Sequence, residues 1–145
     1  LALCSAAVQL EAKTRGRILV IDDDHSARLL LERVLRRAGH EVESAEDGEQ
    51  GLDLLARSKF DLVVADKNLP GLDGLAVLKQ ARARNPALLA VMVTGFPTRE
   101  SQAAARAQGI HSYVTKPFGI EEIVAACDEA LLATHALVAA GLKAH

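Results

Sequence analysis

An α/β fold built on a five-stranded parallel sheet is the class that this sequence predicts. Short apolar runs alternate five times with stretches of helical periodicity, and no repeat or low-complexity tract interrupts the alternation. The runs at 18–21, 62–65 and 88–93 are nearly continuous Val, Ile, Leu and Ala, as in strands covered on both faces. The helical stretches between them are long enough for right-handed βαβ crossovers.

The elements follow in order. Residues 1–13 place Leu3, Ala6, Ala7 and Leu10 at helical spacing, and a polar, basic stretch from Glu11 to Arg17 follows, which reads as the end of a linker helix and a connector. Ile18-Leu19-Val20-Ile21 is the first strand and stops at Asp22-Asp23-Asp24. A helix over 25–38, started by Asp24, is expected to turn Leu29, Leu30, Val34 and Leu35 inward. Its Arg28, Glu32, Arg33, Arg36 and Arg37 are expected outward, with Gly39 as the C-cap glycine. The alternation of Glu41-Val42-Glu43-Ser44-Ala45 predicts an edge strand. Asp47, with Gln50 three residues on, opens a helix through Arg57. Phe60 to Ala65 form the third strand, short and bounded by Pro70 and Gly71. Asp73 caps a helix to Arg84, which Asn85-Pro86 ends. The fourth strand, 88–93, runs into Thr94-Gly95, and Pro97 and Thr98 open an Ala-rich helix closed by Gly109. Ile110 to Thr115 form the fifth strand, ending at Lys116-Pro117-Phe118. A last helix runs from about Gly119 to about Ala140.

Bulk properties narrow the function. A chain of 145 residues holds one domain, here 17–131, flanked by extensions at 1–16 and 132–145. Aromatic residues make up 3% and Trp is absent, against a stacking platform for single-stranded nucleic acid. The net charge of −2, from 17 basic and 19 acidic residues, offers no basic stripe for nucleic acid or a membrane surface. No apolar run reaches membrane-spanning length. Cys4 and Cys127 stand far apart in no metal-type spacing, so a reduced, cytoplasmic setting fits; Cys127 falls on an apolar stripe and is read as a small core residue. The five histidines are scattered and are read as structural. Leu1-Ala2-Leu3-Cys4 lacks the basic flank and small residue of a lipoprotein cleavage box. Met92 is the one methionine, so the sequence reads as a fragment or a trimmed chain.

The chemistry sits at strand ends. Asp22 and Asp23 end strand 1, Asp66 strand 3, Thr94 strand 4 and Lys116 strand 5. In a parallel sheet those ends share one edge, where open α/β sheets bind ligands. An aspartate after a strand is more often a turn or cap residue; Asp22, Asp23, Asp66 and Lys116 as a set resist that reading, because buried charges need partners. Three carboxylates in one shallow pocket repel one another and call for a counter-ion, and Mg²⁺ is the hard divalent cation suited to oxygen ligands. Lys116 adds a point charge and Thr94 a hydroxyl. This set serves phosphoryl transfer onto a carboxylate, with Asp66 the nucleophile.

The motifs Val20-Ile21-Asp22-Asp23-Asp24, Val64-Ala65-Asp66-Lys67-Asn68-Leu69-Pro70-Gly71-Leu72-Asp73-Gly74, Met92-Val93-Thr94-Gly95 and Tyr113-Val114-Thr115-Lys116-Pro117-Phe118 resemble those of the receiver domains of bacterial two-component response regulators, over roughly residues 17 to 131. The resemblance implies a doubly wound (βα)5 sandwich with strand order 2-1-3-4-5. It makes Asp66 the phosphoacceptor, charged from a histidine kinase or phosphotransfer protein. Mg²⁺ would be ligated by Asp23 and Asp66, by the backbone carbonyl of Asn68, and by Asp22 largely through water. Lys116 would contact the phosphoryl group, with the Lys116-Pro117 bond cis, and Thr94 and Tyr113 would form a switch pair. Such a domain catalyses only its own phosphorylation and dephosphorylation, and its output surface would be residues 98 to 131. No required position departs from the pattern.

Three other readings compete. A phosphatase of the haloacid dehalogenase type uses D-x-D after strand 1, but His25 and Ser26 stand where it wants a small residue and Thr, and Asp66 is left unexplained. A flavodoxin-like cofactor binder needs a Gly- or Ser/Thr-rich first loop. A non-catalytic scaffold shares the fold and would not take a phosphoryl group. The output partner is left open, with no direct nucleic-acid binding expected of this segment. Leu132, Leu137, Val138 and Leu142 form an apolar overhang, expected to meet either the N-terminal helix or a second subunit, unless it is a frayed stump.

Overall fold

The apolar runs become β1 (Arg17–Ile21), β2 (Glu41–Ala45), β3 (Leu62–Asp66), β4 (Leu89–Thr94) and β5 (Ser112–Thr115) in the computed structural model, which describes residues 15–139. All pairings are parallel, in the order β2-β1-β3-β4-β5. Between the strands run α1 (His25–Arg37), α2 (Gly48–Arg57), α3 (Gly74–Arg84) and α4 (Arg99–Ala107), and α5 (Ile120–Ala139) closes the chain. The expected doubly wound order is the one observed. The expected helix over residues 1–13 and Leu142 of the overhang lie outside the described residues, as do the side chains of Leu137 and Val138.

The central strands are apolar throughout because both of their faces are roofed. Successive side chains point to opposite faces. Ile18 and Val20 therefore join Leu62, Val64, Val91 and Val93 beneath α1 and α5. Leu19 and Ile21 join Val63, Ala65, Ala90 and Met92 beneath α2, α3 and α4. Residues 18–21 are all fully buried, each side chain contributing roughly 1.5–3 kcal/mol. The alternating β2 takes one edge, as predicted, and the four-residue β5 takes the other.

Caps set the helix starts. Asp24, Asp47 and Asp73 accept from the backbone of α1, α2 and α3, and Thr98 forms a capping box with Ser101 on α4, each worth about 1 kcal/mol. In the Asp47 cap, Gln50 Oε1 receives the amide of Glu46 rather than that of Asp47. Gly39, at φ 101°, ends α1 in the left-handed region that glycine tolerates best.

One helix face differs from expectation. On α1 the buried residues are Arg28, Leu31, Val34 and Leu35, whereas Leu29 and Leu30 are 39% and 45% exposed. The apolar stripe is rotated by about one residue, because Arg28 has polar partners inside, described below, and a charged side chain so satisfied can take a core-facing position.

Candidate functional site at the C-terminal strand edge

Register brings the strand ends together. Asp66 pairs with Val93 and Thr94 with Thr115, so β3, β4 and β5 finish nearly level, and Ile21 beside Ala65 puts Asp22 at the same height. Asp22 and Asp66 are 1% and 7% exposed, whereas Asp23 is solvent-exposed. One carboxylate oxygen from each of Asp22, Asp23 and Asp66 lies within 4.8 Å of the others.

Lys116 ties this edge together. Its Nζ donates to Asp66 Oδ2 at 2.8 Å and to Asp22 Oδ2 at 3.2 Å. The remaining oxygens accept backbone amides: Asp66 Oδ1 from Asn68 at 2.9 Å, and Asp22 Oδ1 from Asp24 at 2.9 Å. Burial raises the Asp22 carboxyl above its usual range, and the negative charge of Asp66 adds to this, while the Asp24 amide and Lys116 offset only part. Burial alone would lower the Lys116 ammonium. The hydrogen bond to Asp66 and the charges of both aspartates outweigh it, and the net direction is up.

Thr94, fully buried, accepts at Oγ1 from Asn68 Nδ2 and from the Phe96 amide, both at 3.1 Å. Two donors occupy its lone pairs, so its own O–H is the group left to donate. Tyr113 is half-buried, and its hydroxyl meets Ser101 Oγ at 2.5 Å. Ser101 Oγ also lies 3.0 Å from the Thr98 carbonyl. The Lys116-Pro117 bond is cis. Asp22, Asp23, Asp66, Asn68, Thr94 and Lys116 thus gather at one edge, and Tyr113 lies one strand over, tied to the start of α4.

Three contributors escape a reading of the sequence alone. Arg28 Nη1 donates to the Asp22 carbonyl and Nη2 to His25 Nδ1, both at 2.9 Å, bracing the β1–α1 loop from behind. Ser101 fixes the Tyr113 hydroxyl. Gly74 starts α3 so close beneath β3 that a Cβ there would stand 2.4 Å from the Asp66 carbonyl oxygen. The signals for Arg28 and Ser101 were present, as an Arg one turn into a helix after an acid cluster and a Ser at the third position of a capping box.

Hard carboxylate oxygens crowded beside one lysine suit a divalent cation, and the acidic cluster can bind a metal ion. A family model of the response regulator receiver domain matches residues 18–128. The chain belongs to the response regulator receiver domains. It is 39% identical over 117 residues to the DNA-binding transcriptional regulator NtrC of Klebsiella pneumoniae, covering 81% of this chain and 25% of that protein. It is 40% identical over 109 residues to the response regulator MprA of Mycobacterium sp. (strain KMS), covering 75% of this chain and 47% of the relative. The receiver spans a quarter to about half of these relatives. Among solved structures, a CheY-like receiver domain protein from Methanospirillum hungatei superposes with a TM-score of 0.80 at 28% identity, over 83% of this chain and 96% of that one. NtrX from Brucella abortus gives 0.81 at 30% identity, over 87% and 29%. The chain is therefore a receiver domain of two-component signalling.

Proposed function

We propose that this receiver is a phosphorylatable switch in which Asp66 accepts a phosphoryl group from the phosphohistidine of a histidine kinase or phosphotransfer protein. The observation that carries the reading is the Lys116 ammonium on Asp66 Oδ2, with a second buried aspartate and an exposed third within metal-ligand reach. Mg²⁺ fits this donor set of Asp22, Asp23, Asp66 and the Asn68 carbonyl; when bound, it neutralises phosphoryl oxygens. The carboxylate oxygen of Asp66 attacks phosphorus, the P–N bond breaks, and its electron pair leaves with the imidazole, which takes up a proton. Lys116, already 2.8 Å from the nucleophile, exchanges a carboxylate oxygen for a phosphoryl oxygen. The free O–H of Thr94 donates to the same group, and Tyr113 answers by leaving Ser101.

The domain comprises 17–131, with 1–16 and 132–145 as extensions. Its chemistry is confined to its own phosphorylation and hydrolysis, and its signal goes through the surface of α4, β5 and α5 to an output partner or effector domain. Among the described residues no helix is long and apolar enough to cross a membrane, and we place the domain in the cytoplasm.

Acetyl phosphate with Mg²⁺ should load one phosphoryl group, detected by mass spectrometry, on the native chain and none on Asp66→Asn. Equal labelling of the variant would move the acceptor elsewhere, and no labelling of either chain would leave a scaffold.

A further inference from the structure

At the opposite edge of the sheet, where the strands begin, a groove of ≈ 660 Å³ opens between the C-terminal ends of α2 and α3. Its walls are Leu52, Leu55, Phe60, Leu88, Leu89 and Leu131. None of the residues placed in the phosphorylation site lines it. Arg15, the first described residue, lies at its rim.

The chain enters there under tight restraint. The Gly16 amide donates to His40 Nδ1 at 3.0 Å, and its carbonyl accepts from Glu41 at 3.1 Å. A Cβ on Gly16 would lie 2.8 Å from Leu131, so the backbone is pressed against α5. His40 is buried. With Nδ1 accepting from Gly16, its proton sits on Nε2 and goes to Asp128 at 2.9 Å on α5. The backbone at Gly16 is therefore a fixed point at the groove mouth.

We infer that the groove is the docking site of this chain's own residues 1–10. Leu3, Ala6, Ala7 and Leu10 recur at the spacing of one helical face. Ten helical residues extend about 15 Å, and the four connecting residues, 11–14, reach about 13 Å when extended. The segment can thus turn back from Arg15 and lay its apolar face into the groove, away from the phosphorylation edge. The N-terminal segment is then held against α2, α3 and α5, and the phosphoacceptor edge is left open.

Cys4 makes the test direct. Cys127 is fully buried and its thiol is pushed up to about 12 by burial and by the charge of Asp128, so it stays silent to mild oxidants. Single cysteines are placed at Ser58 or Asn85 on the groove, or at exposed Glu121 on α5 as control, in the full chain. Disulfide formation with Cys4 is followed by non-reducing electrophoresis and mass spectrometry. At least one groove cysteine should form an intramolecular link about tenfold faster than the Glu121→Cys control, and adding Leu10→Asp should return it to the control rate. Equal rates at all three positions overturn the proposal. A link that is wholly intermolecular also overturns it, and assigns the groove to a second copy. Neither result bears on Asp66 labelling.

Discussion

Gly74→Ala is the substitution whose cost the geometry fixes most closely. The added methyl would stand 2.4 Å from the Asp66 carbonyl oxygen, 3.0 Å from the Asp66 carbonyl carbon and 3.0 Å from Lys67 Cα. All three are backbone atoms, so no rotamer change relieves the contact. Ordinary contact begins near 3.4 Å, and the backbone must give by about 1 Å. Overpacking of this kind costs about 1–3 kcal/mol. The same displacement weakens the Gly74 amide's 2.9 Å bond to the Lys67 carbonyl, which adds about 0.5–1.5 kcal/mol. The expected loss is therefore about 1.5–4.5 kcal/mol, or roughly 5–13 °C in Tm at about 3 °C per kcal/mol. A 1 Å shift at the acceptor should also slow loading by acetyl phosphate, on the order of 10²-fold. Urea titration followed by circular dichroism gives the first quantity and mass spectrometry the second. Two glycines separate collision from strain. Gly71, at φ 77° with no neighbour for a Cβ within 4 Å, should lose about 1–2 kcal/mol as Ala while loading normally. Gly119, equally open and outside that φ range, should be neutral or gain up to about 1 kcal/mol. A Gly74→Ala domain within about 0.5 kcal/mol of the native one, loading at the native rate, would refute the reasoning.

Two further outcomes follow from the site. Because the folded domain raises the Asp22 carboxyl, its contribution to stability is present below the unfolded carboxylate range and lost as pH rises through the folded value. Without divalent cation, Asp22→Asn should therefore be at least as stable as the native chain at pH 7, with the difference shrinking in acid, and Mg²⁺ should stabilise the native chain more. Melting curves against pH, with and without Mg²⁺, check this, and a less stable metal-free variant at neutral pH would contradict it. Ser101→Ala removes both the partner of the Tyr113 hydroxyl and half of the α4 capping box, for about 1 kcal/mol. Tyr113 is the one tyrosine in the chain. Its emission in the variant should approach that of the native chain loaded with beryllofluoride; unchanged emission would mean that Ser101 does not restrain it.

Much of this molecule is written locally. Continuous Val, Ile and Leu runs specify doubly covered strands, and a parallel sheet must bring Asp22, Asp66, Thr94 and Lys116 to one edge however far apart they lie in the chain. What stays hidden depends on neighbours that no local pattern names. A charged residue in a helix is assigned to solvent by default, so Arg28 is misplaced until the Asp22 carbonyl is known to lie beneath it. The Ser101 contact exists because the Tyr113 side chain of β5 reaches the start of α4. The groove depends on the gap between the layers where α2 and α3 end, which no run of residues encodes.

The reach of Lys116 across 94 residues to Asp22 and 50 to Asp66 has a consequence for the nascent chain. Both acids leave the ribosome before the cation that balances them. At about 5–20 residues per second, the lag between Asp66 and Lys116 is roughly 2–10 s. Until β5 follows, β4 has no outer neighbour and the two carboxylates have no lysine. A solvated, open edge is the better arrangement for an unbalanced pair of charges, so the last strand is also the one whose arrival makes burying them tolerable.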